Sequence, residues 1–484
     1  MPAAQPAPYR PAGDLNVATA LAPYAGTWDR RRAAHLLRRA GFGGTPDDVT
    51  RLAAMRMNGA VDSLVQFADA SQLPPMPELQ PLYPALQRKG AADPEAARAA
   101  AMQANRLRVQ EIAALQTWWL NRMISTPAPL QEKMTLFLHG HFTSAPGKGV
   151  QPSDLAAQNQ LYRQSALGNF HELAQAVSRD PAMLLYLDNA RSAKAHPNEN
   201  YARELMELFT LGIGNYTEND VRESARAFTG WSVRRGQGFV FNARQHDDGV
   251  KTFLGQTGNF DGNNIVDIIF QQPAASRRLA ERLISYFVYD DPEPALVDAF
   301  AAVIRKNNFE LQPSVSTLLR SNVFYSDRAY RALVKSPVEF VVGAYQTFGI
   351  AQVDPVALNA LRRMGQVLFN PPSVKGWDGG AAWLNSQTVL TRENFASALM
   401  ANPAMTKAAW LGESLGATEP ETVARTLTQT LLFGDVSPAS MARLVGYLNG
   451  AGVSARAAFG RENADERVRT AAYLTMAMPA YQLN

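Results

Sequence analysis

The chain contains no cysteine, which removes disulfides, thiolate metal sites and cysteine nucleophiles from consideration. It has no run of about 18 apolar residues, so no segment reads as a transmembrane helix. It also lacks an excess of one charge: 47 Lys and Arg against 43 Asp and Glu leave +4 over 484 residues. The densest basic clusters, Arg30–Arg32 and Arg38–Arg39, lie within one helical segment. A field this weak gives no support for nucleic acid as a partner. The first residues, MPAAQPAPYRPAGDLN, have no charged start followed by an apolar core. They read as a loose, proline-containing tail rather than a signal peptide.

What is present is ordinary for a globular protein. Hydrophobic residues make up 46% and charged residues 19%, and a chain this long buries a sizeable core without staples. Length alone suggests about three domains. No internal repeat or low-complexity tract divides the chain, however, and the signals are mostly helical. The expected fold is mainly α: a tail over 1–28, then one large multi-helix domain over 29–484 carrying a small β hairpin.

Helix punctuation is frequent. Thr45-Pro46-Asp47-Asp48 places a cap, a first-position proline and an acid in register, and Ser336-Pro337-Val338-Glu339 is a capping box. Thr217 caps a helix with Asp220 at its third position. Residues 71–94, with six prolines, read as a linker or surface excursion. A long helix is predicted from Pro94 to about Ser125, with Ile112, Leu115, Trp119 and Met123 as its apolar stripe. A short apolar helix over Glu132–Leu138 ends near Gly140. Phe239–Phe241 and Lys251–Leu254 look extended, with Asp247-Asp248-Gly249 as the hairpin turn between them. This places the β element at about 239–254.

Seven motifs recur along the chain in order: His35–Gly43 (HLLRRAGFG), Met134–Phe142 (MTLFLHGHF), Ser178–Asn189 (SRDPAMLLYLDN), Asn198–Gly212 (NENYARELMELFTLG), Ala225–Trp231 (ARAFTGW), His246–Gly255 (HDDGVKTFLG) and Gly365–Trp377 (GQVLFNPPSVKGW). Together the chain resembles the bacterial domain-of-unknown-function family 1800 over roughly residues 30 to 482. The resemblance implies kinship and leaves the activity open. It also implies a periplasmic or secreted setting and an exported partner of the sulfatase-like group.

Six histidines are present, and four of them, His35, His139, His141 and His246, sit inside these motifs. His139 and His141 flank Gly140 where a helix ends. They serve either as a metal or acid/base pair in a turning backbone, or as a helix C-terminal cap and a packed ring. In Asn198–Gly212, Glu199, Arg203 and Glu207 fall at i, i+4 and i+8, with Glu204 beside them. That pattern is either a functional acid network or an ion-paired helix in which Arg203 bridges Glu199 and Glu207. His246 and Asp247 combine an imidazole and a carboxylate on a turn, suited to a general base or to turn chemistry. Trp377 and Trp383 are a candidate platform for a sugar or aromatic ligand, or a tight loop packed on the core. His35 reads as a packed or surface helix residue.

Two functions follow as expectations. The first is an extracytoplasmic enzyme with His139, His141, Arg203, Glu204, His246 and Asp247 as catalytic groups. A divalent metal held by His139, His141, Glu199, Glu204, Glu207 and His246 would promote hydrolysis. The second is a non-catalytic helical scaffold that binds an exported partner or a polymer, with the polar motifs forming a structural network.

Overall fold

Capping chemistry sets the helix starts. Thr45 with Asp48, Thr217 with Asp220 and Ser336 with Glu339 each form the reciprocal capping box, the first and last with proline at the start of the helix. In each, the hydroxyl accepts from an orphan amide while the carboxylate accepts from the cap amide. A computed structural model of the chain describes residues 16–79, 94–401, 419–450 and 461–484. Helices dominate it, and strand is confined, among the described residues, to two small antiparallel pairs. No helix among the described residues is long and apolar enough to cross a membrane.

Two hydrophobic clusters carry the fold. The long helix Pro94–Ser125 feeds the second with Leu115, Trp119, Leu120 and Met123, and Ile112 packs against it. The Pro129–His141 helix serves both: Leu130, Met134, Phe137 and Leu138 enter the first cluster and Leu136 the second. Almost every side chain on it is buried, the polar Glu132, Lys133, His139 and His141 included.

Several elements differ from the sequence reading. Only part of the expected tail lies in the described residues, and that part is docked. Ala20 belongs to the core, Val323 donates to the Ala20 carbonyl and Tyr24 donates to the Arg320 carbonyl. Much of the proline-rich excursion, residues 80–93, lies outside the described residues. Its first part packs against the long helix, with Trp118 Nε1 donating to the Pro74 carbonyl at 3.1 Å.

The β element is two hairpins. Strand β1 (Trp231–Arg234) pairs with β2 (Gly238–Phe241), and β3 (Lys251–Phe253) with β4 (Gln256–Gly258). The two extended runs therefore pair with neighbours, not with each other. Asp247 Oδ1 accepts from the Gly249 amide at 2.9 Å, as in a turn, but the segment links the two hairpins, and Arg226 also holds the carboxylate with hydrogen bonds of 2.7 and 3.1 Å.

The short apolar helix runs through Gly140 to His141. The acidic helix Glu199–Glu204 widens into a π-helical segment over Leu205–Thr210.

Candidate functional site

A cleft of about 170 Å³ opens where the C-terminal half of Pro129–His141 meets the loop that follows the Pro355–Met364 helix. One wall carries Arg282, Ser285 and Tyr286 of the Pro273–Phe287 helix, with Asp290 beyond it at the rim. Ser336 and Glu339, from the start of the Pro337–Thr347 helix, form a second wall, and Trp377 to Trp383 a third.

The loop is fixed at many points. Thr143 Oγ1 donates to the Val374 carbonyl, and Trp377 Nε1 donates to the Gly365 carbonyl at 3.1 Å. Gly376 has φ +85°, and a Cβ there would meet the Gly140 carbonyl oxygen at 2.5 Å. Only glycine allows that approach. Gly380 likewise lies against Asp290, whose Oδ2 would be 2.9 Å from a Cβ.

The cleft wall hides an uneven set of charges. Glu339 pairs with the buried Lys133 and accepts from the Ser336 amide at 2.6 Å. Burial pushes its carboxyl up, but Lys133 and Ser336 outweigh that and hold it below the usual carboxylate range. Burial lowers the Lys133 ammonium, with Glu339 opposing. Asp290 is pushed above the ordinary aspartate range by burial and then by Asp291, while Arg39 pulls it down. A larger groove of about 580 Å³, lined by Thr45, Asp48, Arg51 and Gln346 among others, has its polar groups engaged. Asp48 closes a cap and pairs with Arg51, and Gln346 bonds the Gly44 amide and the Met123 and Ile124 carbonyls.

The histidines and acids expected to form a site are distributed over three places. Because the helix continues to His141, residues two apart point about 200° from each other, and the two imidazoles diverge. His139 Nε2 accepts from the Phe369 amide at 3.0 Å, and its ring packs against Trp119, Phe369 and Trp377. An amide partner only donates, so the proton of this imidazole sits on Nδ1. His141 Nε2 donates to the Phe209 carbonyl at 2.9 Å, inside the π-helical segment. Burial drives both down to about 3, so both are neutral rings at ordinary pH.

Arg203 bridges Glu199 at 3.2 Å and Glu218 at 2.8 Å, not Glu207. The helix widens after Glu204, which turns Glu207 toward Tyr216, whose hydroxyl it accepts at 2.8 Å. Glu204 is half-buried, its carboxyl raised by burial and by Glu207. His246 Nδ1 donates to the Thr229 carbonyl at 2.8 Å, and Arg226 holds the Asp247 carboxyl below the ordinary range. Among the described residues, no three His, Asp or Glu side chains gather in a way that could hold a metal ion. The ligand set expected as His139, His141, Glu199, Glu204, Glu207 and His246 is not brought together. His35 is packed, donating through Nε2 to the Phe324 carbonyl at 2.9 Å.

Sequence reasoning passed over Arg282, Asp290, Lys133 and Glu339 as site residues. A signal was available for two of them: Lys133 interrupts an apolar helix, and Glu339 is the acid of a capping box.

Comparison with known proteins gives one family. The family model described as "Protein of unknown function (DUF1800)" matches residues 35–483, nearly the whole chain, and the chain belongs to that family. No curated protein and no solved structure matches.

Proposed function

We propose that this member of the DUF1800 family is an extracytoplasmic binding protein. Its working surface is the cleft between the Pro129–His141 helix and the Trp377–Trp383 loop, and its ligand is a ring-bearing polymer segment such as a saccharide chain. One observation carries the reading: Trp377 and Trp383 line the same cleft as the hydrogen-bonding groups of Arg282, Ser285 and Ser336. Flat aromatic faces bury area at low entropic cost, and a few convergent polar groups fix orientation. A setting outside the cytoplasm and a sulfatase-like exported partner, both implied by the family resemblance, belong to the same proposal.

Metal-assisted hydrolysis at the histidines is the weaker reading. His139 Nε2 has its lone pair on the Phe369 amide, and a ligand must offer that lone pair to the metal.

The test is calorimetric titration of the purified chain with oligosaccharides, with tryptophan fluorescence as a second signal. Trp377→Ala and the gentler Trp377→Phe are compared with the unaltered chain. Binding weakened about tenfold or more by Trp377→Ala, and less by Trp377→Phe, is expected. Saccharide binding undiminished in both variants would sink the cleft as the working surface.

A further inference from the structure

We infer that the ligand of this cleft is acidic, and that an oxyanion group on it, in the first instance a carboxylate, seats on Arg282. The inference rests on the binding role proposed above. Arg282 lines the cleft, and its Nε is buried with no hydrogen-bond partner among the described residues. The neighbouring charges do not satisfy it. Glu281 is paired with Arg278 at 3.0 Å, and Arg278 adds a like charge that, with burial, lowers the Arg282 guanidinium.

Behind the wall the imbalance deepens. Lys133, Arg39, Lys335 and Arg392 are all buried, at 1%, 1%, 9% and 1% exposure. Each has Glu339 as an electrostatic partner, and Arg39 has Asp290 as well, so two carboxylates serve four basic side chains. Arg39 keeps Nε and Nη1 unpartnered, and Arg392 keeps Nε. Lys335 rests on the Tyr481 ring at 3.8 Å, and Arg392 gives Nη2 to the Lys335 carbonyl at 2.7 Å.

Uncompensated positive charge in a desolvated region is unfavourable. An anion entering the cleft relieves it, because screening there is weak. The carboxylates that oppose an anion are Glu339, paired with Lys133, Asp378, paired with Lys375 at 2.8 Å, and Asp290 at the rim, which faces Arg39. Together with the tryptophan wall, this fits a ring that carries a carboxylate, as in a uronic-acid chain. A guanidinium meets a carboxylate through two parallel N–H bonds, a geometry that a lysine does not reproduce.

The experiment titrates the full chain with a galacturonic-acid oligomer, a neutral galactose oligomer of the same length, and inorganic phosphate. It compares the unaltered chain with Arg282→Gln, Arg282→Lys and Arg277→Gln, a surface change on the same helix where Arg277 pairs with Asp298. The acidic oligomer is expected to bind at least about tenfold more tightly than the neutral one. Arg282→Gln should remove about tenfold or more of that affinity, Arg282→Lys less, and Arg277→Gln none. Raising salt to about 0.5 M should weaken the acidic oligomer selectively. Equal affinity for both oligomers, untouched by Arg282→Gln, overturns the acidic ligand and leaves the binding role standing. Phosphate binding that depends on Arg282, with no affinity for either oligomer, upholds the oxyanion site and overturns the saccharide reading. No binding of any of the three overturns both.

Discussion

Lowering the pH from about 8 to about 5 is expected to cost the folded chain about 4 kcal/mol through His139 and His141 alone. An unfolded histidine titrates near 6.5, whereas burial brings both of these rings down to about 3 in the folded chain. Between those values the unfolded chain binds more protons than the folded one. Stability therefore rises with pH across the window, is fully present above about 6.5, and is lost as the pH falls toward about 3. At about pH 5 each ring contributes a loss of about 2 kcal/mol. His35, lowered by burial and by Arg39 and Arg38, adds to the loss with the same sign. The assay is two-fold. Carbon-13 labelled histidine resonances, assigned through His139→Gln and His141→Gln, should hold their neutral positions down to about pH 4. Urea unfolding at about pH 8 and pH 5 should show that His139→Gln, which keeps an acceptor for the Phe369 amide, loses about 2 kcal/mol of the pH dependence. A resonance of His139 or His141 that titrates near 6.5, or an unchanged pH dependence in His139→Gln, would refute the reasoning and return these rings to candidacy as acid/base groups.

Two further outcomes test the framework that holds the cleft. Glu132 is fully buried and receives Arg122 Nε at 2.6 Å, Arg163 Nε at 2.7 Å and Nη2 at 2.9 Å, and Trp119 Nε1 at 2.8 Å. Glu132→Gln leaves two arginines without their charge partner, and a loss of about 3–5 kcal/mol is expected. A urea midpoint equivalent to less than about 1 kcal/mol of loss would contradict that. Gly376→Ala forces a Cβ onto the Gly140 carbonyl at a φ of +85°. A loss of about 1–3 kcal/mol is expected, together with a shift in Trp377 emission; an unshifted spectrum and midpoint would show that the loop tolerates the side chain.

Most of the helical architecture was legible because its signals are local. A capping box satisfies amides within four residues, so Thr45, Thr217 and Ser336 reveal their helices without any tertiary knowledge. The stripe on Pro94–Ser125 was legible for the same reason: a helical period is written in one segment. Pairing partners were not. Phe239–Phe241 and Lys251–Leu254 both look extended, and nothing within those runs says that each has its own partner strand. The π-helical segment was equally hidden, because Asn198–Gly212 keeps an α-like spacing of acids. The widening at Leu205 is what moves Glu207 from Arg203 to Tyr216. The cleft escaped for a third reason. The basic residues in and behind its walls come from segments as far apart as Arg39, Lys133, Arg282, Lys335 and Arg392, and Glu339, which all of these but Arg282 share, reads in the sequence as nothing more than a cap.

The His-Gly-His motif shows why a strong sequence signal need not be a chemical one. Two imidazoles two residues apart on a helix face opposite ways, so each can tie a different part of the chain to one rod. His139 ties the loop that ends in Trp377, through the Phe369 amide, and Phe369 itself sits at φ 62°. His141 ties the π-helical segment through the Phe209 carbonyl. The glycine between them supplies the carbonyl that Gly376 closes on. Both imidazoles are thereby accounted for by what they hold. Unpartnered donors lie elsewhere: Nε of Arg282, a residue that lines the cleft, and Nε and Nη1 of Arg39. Unspent hydrogen-bonding capacity at a cleft wall, and not motif strength, is what the proposed binding surface rests on, because a buried donor without a partner costs stability that a ligand can restore.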